Sequence, residues 1–418
     1  MRKVLFITYF WPPSGKATLH WPLKMIKYLP EYGWKPVVLT VENESFTQKD
    51  ESLLTEIDPA LKVYKTKAFE PFNLYRKFTG KEKDEQLIAS ETISTENKSL
   101  THKLSIWIRM NLFVPDARIG WYLPAVKKGK EIIKGNDFEA IITIGPPHST
   151  HLIGKRLSKI FSIKHVPVLI DPWVDIIYYG NFQRNSPAVR LDNHLEKSVM
   201  KNAAFVIFVT KTTGEDFQKK YSFLRNKTHI LYWGYNEEDF ENVRQATVPK
   251  NYKLLVHAGN IFDYQNPSKL WVRIKEVNRK EELRIKFIGT VSPAIKREIE
   301  QNNLPDKTEY AGFLPYKEML NQLLNADYLL VCASEKRHLP GKLFEYLRTG
   351  KPILAFGDEN EEVKEILQKT GSGMIFRYNE DPKEFFDKAD SIKSNLELVK
   401  QFDRKRIAEN LGMILNQL

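Results

Sequence analysis

"HLPGKLFEYLRTGKPILAFGDENEEV", residues 338–363, is the stretch on which the fold turns. A Pro-Gly-Lys turn opens an amphipathic helix, Gly350-Lys351-Pro352 stops it, and the chain runs at once into the apolar strand "KPILAFG". A second helical pattern, "EEVKEILQK", follows directly. Helix, short apolar run and helix in close succession are the repeat of a parallel sheet with helices on both faces.

The same rhythm continues in both directions. "KLLVHAGN", "RIKFIGT", "DYLLVCAS" and "GMIFRY" read as further strands around this one, separated by "PSKLWVRIKEVNR" and "KEMLNQLLN". The first half repeats the scheme with "KVLFITYF", "KPVVLTVE", "LKVYKTKAF", "FEAIITIGPP", "VPVLIDPW" and "FVIFVT". Two doubly wound, Rossmann-like α/β domains are therefore predicted, over residues 1–235 and 236–396, with a hinge in the polar, strand-poor stretch 232–252. In the terminal segment, 397–418, Phe402, Ile407, Leu411, Ile414 and Leu418 fall on roughly one helical face, which is expected to cross back onto the first domain. Residues 80–101 are polar and without a hydrophobic period, and read as a mobile insertion.

Bulk properties agree with two globular domains. The chain has 418 residues, 42% apolar and 28% charged. No run reaches the roughly 20 apolar residues of a membrane span, and the N-terminus lacks the pattern of a signal peptide, so a cytoplasmic protein is expected. The single cysteine, Cys332, sits in an apolar run and reads as a small buried hydrophobe in a reducing compartment. The net charge of +12 suits a phosphorylated substrate, anionic lipid or nucleic acid, or serves solubility alone. Basic clusters at 75–83 and 127–134 flank the aromatic and apolar "HKLSIWIRMNLFV" (102–114), a pattern that favours a lipid surface. No recognition-helix, zinc or aromatic RNA signature supports nucleic-acid binding.

Ligands of open parallel sheets gather at the carboxyl ends of strands, and two such domains are expected to face each other across a cleft lined by these loops. Gly341 and Lys342 begin a helix whose free N–H groups, with the lysine charge, suit an anion such as a diphosphate. Glu345, one turn in, either accepts hydrogen bonds from a pair of adjacent hydroxyls, as on a ribose, or simply offsets the helix dipole. His148 and His151, three apart at the start of a helix, hold a substrate hydroxyl or phosphate or are structural; they lack the third partner of a zinc site. Asp171 in "LIDPW" either orients or deprotonates an acceptor hydroxyl, or makes an Asx-type turn before Pro172.

"PGKLFEYLRTGKPILA" resembles the nucleotide-sugar-binding segment of the retaining glycosyltransferases of family 4, which have the two-domain GT-B fold. "YFWPPSGKATLHWPLKMIKYLPEYGWKPVVLT" resembles their first strand, glycine turn and helix; "LEKSVMKNAAFVIFVTKTTGEDF" resembles the segment before the hinge; "LLVHAGNIFDYQNPSKL" resembles the start of their nucleotide domain. The terminal helix resembles their cross-over helix. What the resemblance implies is a sugar transferred with retention from a nucleotide-sugar co-substrate, without metal or other cofactor. The donor-site candidates are Gly15, Gly259, Asn260, Arg337, Gly341, Lys342, Leu343 and Glu345, and the catalytic candidates, read from their own positions at strand ends, are Asp171, His151 and His148. A lipid-linked sugar or surface-polysaccharide precursor is the expected acceptor, with a peripheral position at the inner face of the plasma membrane. A nucleotide-sugar 2-epimerase of the same fold and a non-catalytic donor-binding partner are the alternatives. Three departures stand out. Arg337 occupies the position, eight residues before Glu345, where the family has a glutamate on the transferred sugar, and Glu335 lies two residues further back. The Arg and Lys that clamp the diphosphate soon after the first strand of the second domain are missing, for Gly259 is followed by Asn260 and the first lysine is Lys269. The glycine pair after strand one appears as Ser14-Gly15-Lys16.

Overall fold

A computed structural model describes residues 1–46, 49–69, 107–108, 110–175, 184–241, 243 and 250–418. The insertion expected at 80–101, the basic run 75–83 and residues 102–106 and 109 of the aromatic stretch lie outside these. The chain divides into two units: Met1–Leu231 with Ala408–Leu418, and Tyr232–Ile407. The divisions fall at 231/232 and 407/408, against 235/236 and 396/397 as read from the sequence.

Unit 1 is a parallel sheet of seven strands, β1 (Arg2–Ile7), β2 (Trp34–Val41), β3 (Lys62–Thr66), β4 (Phe138–Gly145), β5 (Lys164–Leu169), β6 (Val206–Phe208) and β7 (Thr228–Ile230). Their order is β3-β2-β1-β4-β5-β6-β7. Its longer helices are α1 (His20–Tyr28), α2 (Tyr122–Lys134), α3 (Ser149–Phe161), α4 (Ser186–Asn202) and α5 (Lys211–Lys220). Unit 2 has six parallel strands, β8 (Lys253–Ala258), β9 (Leu283–Ile288), β10 (Thr308–Gly312), β11 (Tyr328–Cys332), β12 (Ile353–Phe356) and β13 (Gly373–Phe376), in the order β10-β9-β8-β11-β12-β13. Its longer helices are α6 (Ser268–Val277), α7 (Pro293–Gln301), α8 (Tyr316–Leu324), α9 (Lys342–Thr349) and α10 (Glu361–Thr370). The last helix, α11 (Arg404–Leu415), begins in unit 2 and ends in unit 1. There Asn416 accepts from the Trp34 indole at 3.0 Å, and Gly412 packs on Tyr32 so closely that a Cβ would lie 2.9 Å from the tyrosine's.

The strands of unit 2 show why continuous apolar runs become parallel strands. Along β11 and β12, Leu329, Val331, Ile353 and Ala355 face one core cluster, while Leu330, Cys332, Leu354 and Phe356 face another. Side chains alternate across a sheet covered on both sides, so every position is apolar. Cys332 is 5% exposed, and burial pushes its thiol up to about 12.

Two strands escaped the sequence reading. β7 is three residues long and β10, "TEYAG", is polar, and both are edges of their sheets. An edge strand packs against one neighbour only, so it needs no long apolar run.

Candidate functional site

In unit 2 the strand order reverses between β8 and β11, which makes the loops after these two strands the expected ligand site. β8 runs into Gly259 at φ 137° and β9 into Gly289 at φ 119°. Glycine is required at both, and a Cβ on Gly289 would meet the Gly259 carbonyl at 2.4 Å. Asn260 turns its side chain onto the next loop, accepting from the Thr290 N–H at 3.1 Å.

After β11 the chain is pinned from α10. Asn360 donates to the carbonyls of Glu335 and His338, both at 2.8 Å, while its own Oδ1 caps α10 through the Val363 N–H at 3.0 Å. Arg337 lies in this pinned turn with its Nε 3.4 Å from Glu335 Oε2, so its charge is already partly met by its neighbour.

α9 then starts at Gly341, with no side chain capping it. Glu345 in its first turn is 3% exposed. Its Oε1 accepts from the Tyr316 hydroxyl at 3.1 Å and lies 3.6 Å from Lys342 Nζ, while its Oε2 is buried without a partner. Burial, then the Glu345 charge, holds the Tyr316 hydroxyl well above its usual value, so it stays a donor. Lys342 Nζ sits 4.8 Å over the Tyr316 ring, which holds the lysine at the helix start. A buried carboxylate oxygen left open costs free energy unless something donates to it. Leu343 is different: its side chain is fully buried in the core and its N–H already donates to the Pro340 carbonyl at 2.9 Å.

Unit 1 holds the remaining candidates. Gly15 is exposed in the turn after buried Trp11–Ser14. His148 and His151 begin α3 at the end of β4, and both are buried. His148 stacks on Trp173, centroids 5.1 Å apart at 7°, and its Nε2 lies 3.2 Å from the Pro172 carbonyl. His151 Nδ1 and His165 Nε2 both lie 2.8 Å from the Thr143 hydroxyl. Burial holds His148 and His165 down at about 3 and lowers His151 too, so all three rings are neutral. The rings crowd Gly145, where a Cβ would stand 2.4 Å from His151 Nε2 and 2.8 Å from His148 Nδ1. Asp171 is partly buried, two residues beyond the end of β5.

Buried acids that the sequence reading missed hold this loop region in place. Asp192 on α4 accepts from the Trp173 indole and from Arg184, both at 2.7 Å. Glu196, one turn on, accepts from the Val174 N–H at 3.1 Å, from the Tyr221 hydroxyl at 2.8 Å and from Lys220 at 2.8 Å. Asp116 serves the start of α3, accepting from the Ser149 N–H at 2.8 Å and its hydroxyl at 2.9 Å. The spacing of Asp192 and Glu196, four apart on one helical face, was the available signal. Among the described residues no group of three or more His, Cys, Asp or Glu is placed to hold a metal ion, and no helix is long and apolar enough to cross a membrane.

Comparison with known proteins fits this geometry. The fold is the two-domain, Rossmann-like α/β arrangement known as GT-B. Sucrose-phosphate synthase from Thermosynechococcus elongatus superposes with a TM-score of 0.64 at 12% identity, covering 100% of this chain and 99% of that one. Anabaena HepE, solved in complex with UDP, gives 0.63 at 14% with both chains covered to 100%. A putative UDP-N-acetylglucosamine 2-epimerase from Listeria monocytogenes gives 0.56 at 11%, covering 98% and 94%. No curated protein matches in sequence. Residues 238–408, nearly the whole of unit 2, match the family model for glycosyl transferases group 1. The uncapped helix and open carboxylate thus lie in an enzyme domain of glycosyltransferase type.

Proposed function

We propose that the protein transfers a sugar, with retention and without a metal ion, from a nucleotide-sugar donor to a lipid-linked or polysaccharide-precursor acceptor. The observation that carries the donor half is Glu345, buried with one free oxygen at the uncapped, lysine-bearing start of α9. In this reading Oε2 accepts from a ribose hydroxyl, and the N–H groups of Gly341 and Lys342, with the Lys342 charge, stabilise the departing diphosphate, those of Leu343 and Phe344 being already bonded within the turn. Arg337 and the backbone at Gly259 and Asn260 complete the donor side. UDP is the nucleotide of choice, since HepE was solved with it.

On unit 1, Asp171 and His148 supply the acceptor-side groups, the imidazole being neutral and able to accept a hydrogen bond. Trp107, Leu112 and Leu123 are exposed, as are Lys127 and Lys134, which supports an anionic membrane surface as the place of the acceptor. The epimerase reading is kept because of the structural likeness to such an enzyme. Incubating the protein with UDP-sugars, with and without a glycolipid acceptor, and following the sugar by NMR tests the proposal. Transfer with an unchanged anomer supports it. Isomerisation of donor alone would replace it with the epimerase, and an inert but bound donor would leave a binding partner.

A further inference from the structure

At the amino end of unit 1's sheet, away from the loops that follow the strands, lies a cavity of about 390 Å³. Its lining includes four lysines, Lys159, Lys164, Lys201 and Lys227, and no acid, with Ser158 and Asn202 as further polar groups. Lys159 and Lys201 stand in the last turns of α3 and α4, where a cation offsets the helix dipole. Lys164 and Lys227 have no such reason: one opens β5 and the other precedes β7. Lys227 Nζ donates to the Ala203 carbonyl at 3.0 Å, which fixes it against the cavity wall.

None of the four pairs with an acid among the described residues. In the same unit Lys220 is paired with both Asp175 and Glu196, and Lys24 with Glu56. Four like charges around one concavity repel each other, and an anion between them relieves that repulsion. Ser162, at φ 56°, turns the chain out of α3 so that 162–164 wrap the same hollow. Compact ammonium charges are the chemistry of a phosphate site, and they carry this one, because the Ser158 hydroxyl is spent on the Ile163 carbonyl at 2.6 Å and the Asn202 amide turns to Ser158.

We infer that this cavity binds a phosphate group, carried by a soluble phosphorylated compound or by an anionic lipid headgroup. The inference rests on unit 1 alone and is independent of the donor site in unit 2. The test is calorimetric titration of the full chain with pyrophosphate while excess UDP occupies the donor site. Pyrophosphate should bind despite UDP, about tenfold more weakly to Lys164→Gln/Lys201→Gln, and unchanged to Lys364→Gln/Lys369→Gln, exposed in unit 2. Should UDP itself not bind, the two variants still report on this cavity separately. Absence of binding, binding abolished by UDP, equal affinity in the Lys164/Lys201 variant, or equal loss in the Lys364/Lys369 control would each overturn the inference. Given the expected result, co-sedimentation assigns the source. Pelleting with phosphatidylglycerol vesicles that pyrophosphate reverses identifies a lipid headgroup, and a protein that stays in solution identifies a soluble phosphate compound.

Discussion

The Tyr316 hydroxyl donates to Glu345 Oε1 at 3.1 Å and leaves Oε2 of the same carboxylate buried and open. One oxygen is thereby fixed by the protein and the other is aimed, with α8 and α9 holding the two residues against each other.

Replacing Glu345 by Ala is expected to weaken UDP binding at least tenfold, since a hydrogen bond to a charged group contributes roughly 1.5–3 kcal/mol. Tyr316→Phe should cost less, about 1 kcal/mol, because it frees Oε1 without removing the acceptor. Calorimetric titration of both variants, with circular dichroism to confirm folding, measures this. Equal affinity in Glu345→Ala would leave the residue with a structural role only.

Gly145→Ala should destabilise unit 1 although its neighbours are unchanged. The added Cβ meets two imidazole rings at 2.4 and 2.8 Å, and such overpacking costs about 1–3 kcal/mol. Thermal unfolding should show a drop of several degrees. A melting temperature like the parent's would mean that the rings can move aside.

Acid should weaken the fold through the buried histidines. His148 and His165 titrate at about 3 when folded and near their ordinary 6.5 when unfolded, so between these values the unfolded chain binds protons that the folded chain refuses. The stability they contribute is complete above 6.5 and is lost as pH falls toward the folded value. Burial raises Asp192 and Glu196 instead, and their effect runs the other way. The clean comparison is therefore with His165→Asn, which should lose less stability than the parent between about pH 7 and pH 5 in urea titrations. Identical losses would show that His165 is not kept neutral by the fold.

Turnover should persist in EDTA, because Lys342 and the start of α9 are available to take the diphosphate charge. Loss of activity that magnesium or manganese restores would assign that charge to a metal ion instead.

Residues 338–363 disclosed the αβ repeat because strands buried on both faces leave a continuous apolar run. Glu345 was legible as a candidate from its place in a first helical turn. Its decisive features were not, since Tyr316 lies 29 residues away and burial is a property of the packed unit. Asp116 acts on Ser149 across 33 residues for the same reason. His148 and His151 were visible as a pair at a helix start, yet nothing local announced that Thr143 would join His151 to His165.

Thr143 also imposes a proton inventory. Its hydroxyl owns one hydrogen, yet it lies 2.8 Å from a nitrogen of His151 and from one of His165. Both contacts are hydrogen bonds only if at least one ring is the donor. That ring spends its single N–H on Thr143 and keeps a bare lone pair on its far nitrogen, His151 Nε2 or His165 Nδ1, each buried without a partner. The threonine thus selects a tautomer deep in unit 1, and with it the direction in which a neutral imidazole can accept.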